Sequence, residues 1–371
     1  MLLEDTSIVT VDRCVFELRQ GRPIIVAGDT GSLLLATLEP QAEASRHWME
    51  ALAPRSVELL LNGFRARRLE LADDAVSVPV AETMRTGFLE RLGYGQPSLA
   101  EVSDARRRAA DVARDELADA GFYLARLAET IPALLAVRSS PPTTPIFAAL
   151  RDRATVLATT ARSVATFRLA NASAVRRLAE APVPLPSAPA ARFVAFRSRD
   201  SLGDHVAVVI GDPSEVEAPL ARLHSSCLTG DIFRSLRCDC GEQLETAIAA
   251  MAEAGGGVIC YLAQEGRGIG IANKLRTYAL QNAGLDTLEA NEALGFAPDE
   301  REFAIAALML RDLGVRRVRL MTNNPEKIER LREFGVDVAE RVGLRATLNP
   351  HNERYISARV AKNGYLHAVN G

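Results

Sequence analysis

Three of the chain's five cysteines fall inside one short stretch, "CLTGDIFRSLRCDCGEQLE". Ten residues separate Cys227 from Cys238, and one separates Cys238 from Cys240. Three thiolates suit zinc, and three protein ligands leave its fourth position open to water or substrate. A purely structural zinc would want a fourth ligand from a second Cys or His pair. Cys260 sits in an apolar, strand-like run and His224 lies on the far side of Cys227, so neither completes such a set. Chance clustering and a redox pair are the plainer readings. A Cys-x-Cys loop is short for a disulfide, however, and the redox motif is Cys-x-x-Cys. The spacing points to an open metal site, which makes a bound water acidic near neutral pH.

Two further segments could handle phosphate. "QEGRGIG" places Gly266, Gly268 and Gly270 between an expected strand and an expected helix, where backbone N–H groups can approach an anion. Arg267 adds a guanidinium fork that matches phosphate oxygens. "TNNPEK" repeats the arrangement with Thr322 and Lys327, although Asn at the cap and Pro at N1 also describe an ordinary helix start. Together they suit a di- or triphosphate. "FAPDEREF" sets Asp299, Glu300, Arg301 and Glu302 in a row, a pattern usual in solvated first turns of helices. Tyr278 follows Lys274 by four positions on one helical face.

The elements that must position these residues fall in two parts. The chain has 371 residues, long for one domain. "APVPLPSAPAAR" (181–192), with four prolines in eight residues, reads as an extended linker. The expected organisation is a domain over 1–180, this linker, and a second domain over 193–371. In the first, "VDRCVFELRQGRPIIVAG" suggests a helix running into a strand, with Cys14 in a strand-like run, and "LLLATLE" suggests a second strand. Residues 101–136 and 146–180 read as helical, interrupted by "SSPPTTP". After the linker, "ARFVAFRS", "HVAVVIGD" and "PLARLHS" read as strands. They precede a helix ended by glycines, the strand "VICYLA", the glycine loop, the helix "IANKLRTYALQNAG", a helix near 300–313, the strand "VRRVRLMT" and the helix "EKIERLREFG". The fold class is α/β: a mixed α/β C-terminal domain preceded by a diverged α+β N-terminal domain.

Composition narrows the partners. A formal charge of −3 argues against a general nucleic-acid surface. No apolar run reaches membrane-span length, and the acidic N-terminus is unlike a signal peptide. An odd count of five cysteines without secretory features suits a reducing cytoplasm.

From about residue 191 onward, "RLHSSCLTGDIFRSLRCDCGEQLE", "YLAQEGRGIGIANKLRTYALQ", "GLDTLEANEALGFAPDEREF" and "LMTNNPEKIERLREFGV" resemble GTP cyclohydrolase II. The resemblance implies Zn²⁺ on Cys227, Cys238 and Cys240. It implies GTP contacts from Arg222, Leu223, His224, Ser225, Ser226, Gln243, Glu265, Gly266, Arg267, Thr287, Thr322 and Lys327, with Mg²⁺ on the triphosphate. Asp299 and Arg301 match the family's proton acceptor and nucleophile, and Tyr278 its active-site tyrosine. The implied reaction opens the imidazole ring of GTP at C8, releasing formate and pyrophosphate and leaving 2,5-diamino-6-(5-phosphoribosylamino)pyrimidin-4-one, the first step of riboflavin biosynthesis. The family suggests a homodimer. A guanidinium is a demanding nucleophile, so a phosphate clamp is the other role open to Arg301. Ser226 stands where family members commonly have Glu, and Leu262 and Ala263 where polar residues occur. A GTP-binding regulatory homologue without turnover, or a zinc nucleobase deaminase, are the alternatives; the latter needs a Cys-x-x-Cys and His/Cys-x-Glu arrangement that this sequence lacks.

The first half is faintly similar to 3,4-dihydroxy-2-butanone-4-phosphate synthase around "VFELRQGRPIIVAGD". That enzyme continues with a dense acidic run, whereas here Asp29 is isolated in "AGDTGSLLLATLE". Without clustered carboxylates no hard-cation site is expected, and the half reads as degenerate and non-catalytic.

Overall fold

The computed structural model describes residues 6–54, 56–80, 86–112, 115–140, 145–152, 155–171, 175–198, 203–344 and 347–352. Most of "SSPPTTP" and the tail after 352 lie outside them. The chain forms two compact units: Met1–Leu169 with Leu275–Glu300, and Ala170–Lys274 with Arg301–Gly371. This division differs from the expected 1–180, 181–192 and 193–371. A segment deep in the second half of the sequence belongs to the first unit.

Among the described residues the first unit is built on a seven-stranded sheet. Its strands are β1 (Ile24–Ala27), β2 (Ser32–Thr37), β3 (Val57–Leu61), β4 (Val76–Pro79), β5 (Ala110–Asp111), β6 (Ala133–Ser139) and β7 (Leu157–Thr160), ordered β5-β4-β3-β6-β2-β1-β7. Among these described strands only β1 and β7 pair in parallel. Helices Thr6–Arg19, Glu116–Leu127 and Ala161–Asn171 cover one face through Leu18, Leu124 and Phe167. The expected first helix and two strands are present. Cys14 lies on the helix, not in a strand; burial, with Glu17 nearby, pushes its thiol up to about 12. The helical expectation for 101–136 and 146–180 fails at β6, β7 and β8. β6 is an almost wholly buried run paired on both sides, and such a run has no periodicity that separates strand from helix.

The second unit carries β8 (Val175–Pro182), β9 (Arg192–Ser198), β10 (His205–Gly211), β11 (Leu220–Ser225), β12 (Gly256–Leu262), β13 (Arg317–Met321) and β14 (Asp337–Val342). Their order is β14-β13-β11-β12-β10-β9-β8, parallel from β14 to β12 and antiparallel from β12 outward. Alternate side chains feed two cores. Cys260, Leu223 and Phe196 meet helix Ala304–Asp312 on one face, while Ile259, Val208 and Leu220 meet helix Cys240–Glu253 on the other. Burying Phe196 completely is worth roughly 2–3 kcal/mol. Cys260 is inert here, its thiol pushed up to about 12 by burial.

The proline-rich stretch is a turn rather than a linker. β8 pairs antiparallel with β9, Val183 N–H donates to Ala191 O (2.9 Å), and Leu185 and Ala188 exchange hydrogen bonds of 3.1 Å. Prolines at 184, 186 and 189 remove donors only between these positions, so the bonds that close the hairpin survive.

Candidate active site

The second unit gathers its functional candidates at one end of the parallel strands. Cys227 follows β11, Gln264 to Arg267 follow β12, and Thr322 to Lys327 follow β13. The carboxyl ends of parallel strands are where open α/β sheets receive ligands.

Cys227, Cys238 and Cys240 place their sulfurs within 4.8 Å of one another, with Cys227 and Cys238 at 3.4 Å. Among the described residues no other group of His, Cys, Asp or Glu converges so closely. The chain turns tightly after Cys227 through Leu228–Ile232, and Cys240 opens helix Cys240–Glu253. Gly230 sits in the cradle. A Cβ there would lie 2.9 Å from Cys227 Sγ and 3.1 Å from Cys238 Sγ. The sulfurs share charge unequally: thiol hydrogen bonds from Cys238 and Cys240, with Lys274, pull Cys227 down, while Cys238 is pushed up to about 12 and Cys240 well above the usual thiol value. Left to themselves Cys238 and Cys240 thus keep their protons beside a Cys227 thiolate, and only a cation would hold all three deprotonated; three sulfur donors around a glycine cradle fit zinc.

A buried polar network surrounds the cluster. Arg222 donates through Nε to His224 Nδ1 (3.2 Å) and through Nη2 to Gln243 Oε1 (2.8 Å); Gln243 in turn donates to Asp239 Oδ2 (2.6 Å). Because His224 Nδ1 accepts, its Nε2 carries the proton toward Asp231 (3.1 Å). Burial holds the His224 pKa down, against the pull of Asp231, so the ring stays neutral. Asp231 also accepts from Tyr261 Oη (2.8 Å) and Cys227 N–H (3.0 Å). The Tyr261 ring stacks on His224, with centroids 5.4 Å apart. Burial first, then the bond to Asp231, raises the Tyr261 pKa. Lys274 Nζ lies 3.0 Å from Cys227 Sγ and 2.8 Å from Glu265 Oε1.

Asp231, Tyr261, Lys274, Asp239 and Gly230 were not selected by sequence reasoning. Asp231, four residues past Cys227 in a tight turn, was the one with a readable signal.

The glycine segment is a single helical turn, Glu265–Gly268, in which Gly266 (φ 63°) and Arg267 (φ 67°) are left-handed. A non-glycine residue held there is strained, and such strain concentrates at functional positions. Glu265 is engaged internally, accepting from Leu228 N–H (2.6 Å), Gly266 N–H and Lys274. Lys327 donates to Leu223 O (2.7 Å), so Leu223 contributes its carbonyl. Arg301 and Lys327 both lie over the Phe303 ring, at 4.9 and 5.5 Å, and Arg301 reaches Ser225 Oγ at 3.5 Å. Ser226 N–H is held by Leu262 O (2.8 Å). Thr322 Oγ1 accepts from Asn324 N–H (3.1 Å), and Asn324 caps helix Pro325–Glu333, so the ordinary capped helix start is present.

The structure does not place all candidates in this unit. Tyr278 on helix Ile271–Asn282, Thr287 at the start of helix Thr287–Ala293, and Asp299 belong to the segment that joins the first unit. In that unit Asp29 is isolated along the sequence but not in space. Asp29 lines a cavity of about 590 Å³ together with Glu116, Asp119, Tyr123, Arg162 and Arg168.

A mixed α/β unit with three cysteines converging at the ends of its parallel strands has the donor set that could hold a metal ion beside a ligand cleft, as a hydrolase site would. Residues 176–343 match the family model described as GTP cyclohydrolase II. A GTP cyclohydrolase-2 from Azospirillum brasilense is 38% identical over 370 residues, covering 98% of this chain and 95% of that protein. One from Xylella fastidiosa is 35% identical over 375 residues, covering 97% and 88%. A shorter one from Cronobacter sakazakii is 53% identical over 196 residues, covering 53% of this chain and 99% of its own length. The chain belongs to the GTP cyclohydrolase II family and is a hydrolase of that kind. A solved two-domain 3,4-dihydroxy-2-butanone 4-phosphate synthase from A. baumannii superposes with a TM-score of 0.34 at 16% identity, covering 91% of this chain and 99% of that one, which defines neither fold nor function for the first unit. Among the described residues no helix is long and apolar enough to cross a membrane.

Proposed function

We propose that the chain hydrolyses GTP to 2,5-diamino-6-(5-phosphoribosylamino)pyrimidin-4-one, formate and pyrophosphate, the entry step of riboflavin biosynthesis, as a cytoplasmic homodimer. The observation that carries this reading is the convergence of Cys227, Cys238 and Cys240 around Gly230. These residues would hold Zn²⁺, which when bound supplies Lewis-acid activation for attack of water at C8. Lys274 offsets the charge of the thiolates. Asp231 fixes the turn through Cys227 N–H and the ring of His224.

Arg222, Arg267, Arg301 and Lys327 supply the cationic charge a triphosphate needs, with Mg²⁺ carried by the nucleotide. Arg301, stacked on Phe303 and in contact with Ser225, is seated to clamp phosphate. Tyr278 and Asp299 are assigned to proton handling. The first 169 residues are read as lacking synthase chemistry, so conversion of ribulose 5-phosphate by the full chain would reverse that assignment.

The test is incubation of folded, full-length protein with GTP and Mg²⁺, following formate and pyrophosphate, alongside metal analysis. About one zinc per chain and stoichiometric formate are expected. GTP recovered intact from zinc-replete protein would overturn the proposal.

A further inference from the structure

Arg65 is among the largest fully buried side chains, 2% exposed. Its guanidinium donates to four main-chain carbonyls: Leu92 (2.7 Å), Arg91 (2.6 Å) and Gly95 (2.8 Å), and Ala293 (2.6 Å). The first three close helix Thr86–Gly93, and the fourth closes helix Thr287–Ala293. A cation at two helix C-termini satisfies end carbonyls and opposes both dipoles; of the four, Arg91 O also accepts Gly95 N–H (3.1 Å). Burial lowers its pKa to about 9, so it stays charged at neutral pH. Removing it would leave buried acceptors unpaired.

Two neighbours reinforce the arrangement. Asn62 caps the helix that carries Arg65 and also donates to Gly295 O (2.6 Å). Gly295 is left-handed (φ 82°), and a Cβ there would meet Asn62 and Pro132 at 3.2 Å.

The same segment is gripped at both of its ends. Near its start, buried Glu39 accepts from Ile131 N–H (3.1 Å) and pairs with Arg276 (2.9 Å), whose guanidinium lies 5.3 Å from the Tyr94 ring. Arg276 is two residues from Tyr278. At its finish, Arg126 pairs with Glu300 (2.6 Å), and Glu300 also accepts from Ala297 N–H (2.8 Å). Glu300 adjoins Asp299. Each grip therefore falls beside a residue the proposed reaction uses: Tyr278, the helix of Thr287, and Asp299.

The geometry points to Arg65, seconded by Glu39, as a positioning residue for ring opening: the N-terminal half sets the placement of Leu275–Glu300 and with it Tyr278, Thr287 and Asp299. This rests on the reaction proposed above. The Cronobacter sakazakii relative covers only 53% of this chain at 99% of its own length. The N-terminal half is thus no universal requirement of the family. In this chain the contacts at Ala293, Arg276 and Glu300 come from Arg65, Glu39 and Arg126 of the N-terminal half.

The experiment compares full-length wild type with Arg65→Met, Arg65→Lys and Glu39→Gln. It measures kcat and KM for GTP, zinc content and thermal unfolding. Misplacement of reacting groups by about 1 Å can cost on the order of 100-fold. Arg65→Met should therefore lower kcat by roughly 10- to 100-fold and raise KM several-fold with zinc content unchanged, and Arg65→Lys should recover part of the loss. Should Arg65→Met fail to fold, Glu39→Gln carries the same test, with a smaller change in the same direction. Unchanged kcat and KM in a folded variant would overturn the inference. So would a fall in kcat that only tracks the folded fraction at constant KM. Wild type that leaves GTP intact would remove the reaction and this inference together, whereas active wild type with unaffected variants removes the inference alone.

Discussion

The cysteine segment and Leu275–Glu300 both carry residues assigned to one reaction, yet they are held in opposite ways. Cys227, Cys238 and Cys240 are brought together by a tight turn, a glycine and the first residue of a helix, all within a few turns of chain. Leu275–Glu300 is held from far away: Arg65 and Ala293 are 228 positions apart, and Glu39 and Arg276 are 237 apart. Ligand identity is here a local property of sequence, while placement of the other groups depends on the whole first unit.

The sharpest way to test the local half of that contrast is the Cys238→Ser, Cys240→Ser double substitution. Zinc should be lost and ring opening should fall by ~10³-fold or more, because several kcal/mol of charge stabilisation go with the metal. Full zinc occupancy in the purified double variant would refute the ligand assignment.

Acid should divide the two units next. His205 at the start of β10 accepts from Ala263 N–H (3.0 Å) through Nδ1 and meets Ser198 through Nε2 (2.8 Å). Burial, opposed by Asp204, pushes its pKa from the usual 6.5 down to about 4. The folded chain thus binds fewer protons than the unfolded one between these values. Its contribution is intact above pH 6.5 and is lost as pH falls toward 4, by about 3 kcal/mol in full. Denaturant melts at pH 7.5 and 5 should show the loss, and His205→Gln should flatten it. The Arg65 grip, charged up to about pH 9, has no proton to gain in that range.

A smaller effect is expected of Gly230→Ala, whose Cβ would press on Cys227 and Cys238. Zinc affinity measured by competing chelator should drop by roughly 10- to 100-fold, as for other changes just outside a ligand set. Wild-type affinity would show that the cradle yields. The smallest is Asp286→Ala. It removes a capping box with Glu289 at helix Thr287–Ala293 and should cost ~1 kcal/mol by equilibrium unfolding, with zinc unaffected.

The same contrast explains what could be read from the chain. The cysteine spacing, the strands of the second sheet from β9 to β13 and their helices were legible, because each follows from local periodicity and turn residues. β6 was hidden in a continuous buried run, and β8, made of helix-favouring Arg, Leu, Ala and Glu, is a strand only because β9 pairs with it. Lys274 carries no distinguishing spacing, and its role appears only when helix Ile271–Asn282 sets it against Cys227. Arg65 was unreadable for a stronger reason. Nothing near it in sequence marks a buried arginine, since its acceptors are main-chain atoms with no residue signature.

The hairpin of β8 and β9 also governs how the chain can be cut. β8 is the outermost strand of the second sheet, it exposes Arg176, Arg177 and Glu180, and it closes on Pro182. Charges and a proline on a sheet edge discourage another chain from adding a strand. β9, next inward, presents Val194 and Phe196 to the core, carries charge only at Arg192 and Arg197, and has no proline. A fragment begun at 191 would bare the hydrogen-bonding rim of β9 and invite edge-to-edge aggregation, whereas one begun at Ala170 keeps the guard strand in place.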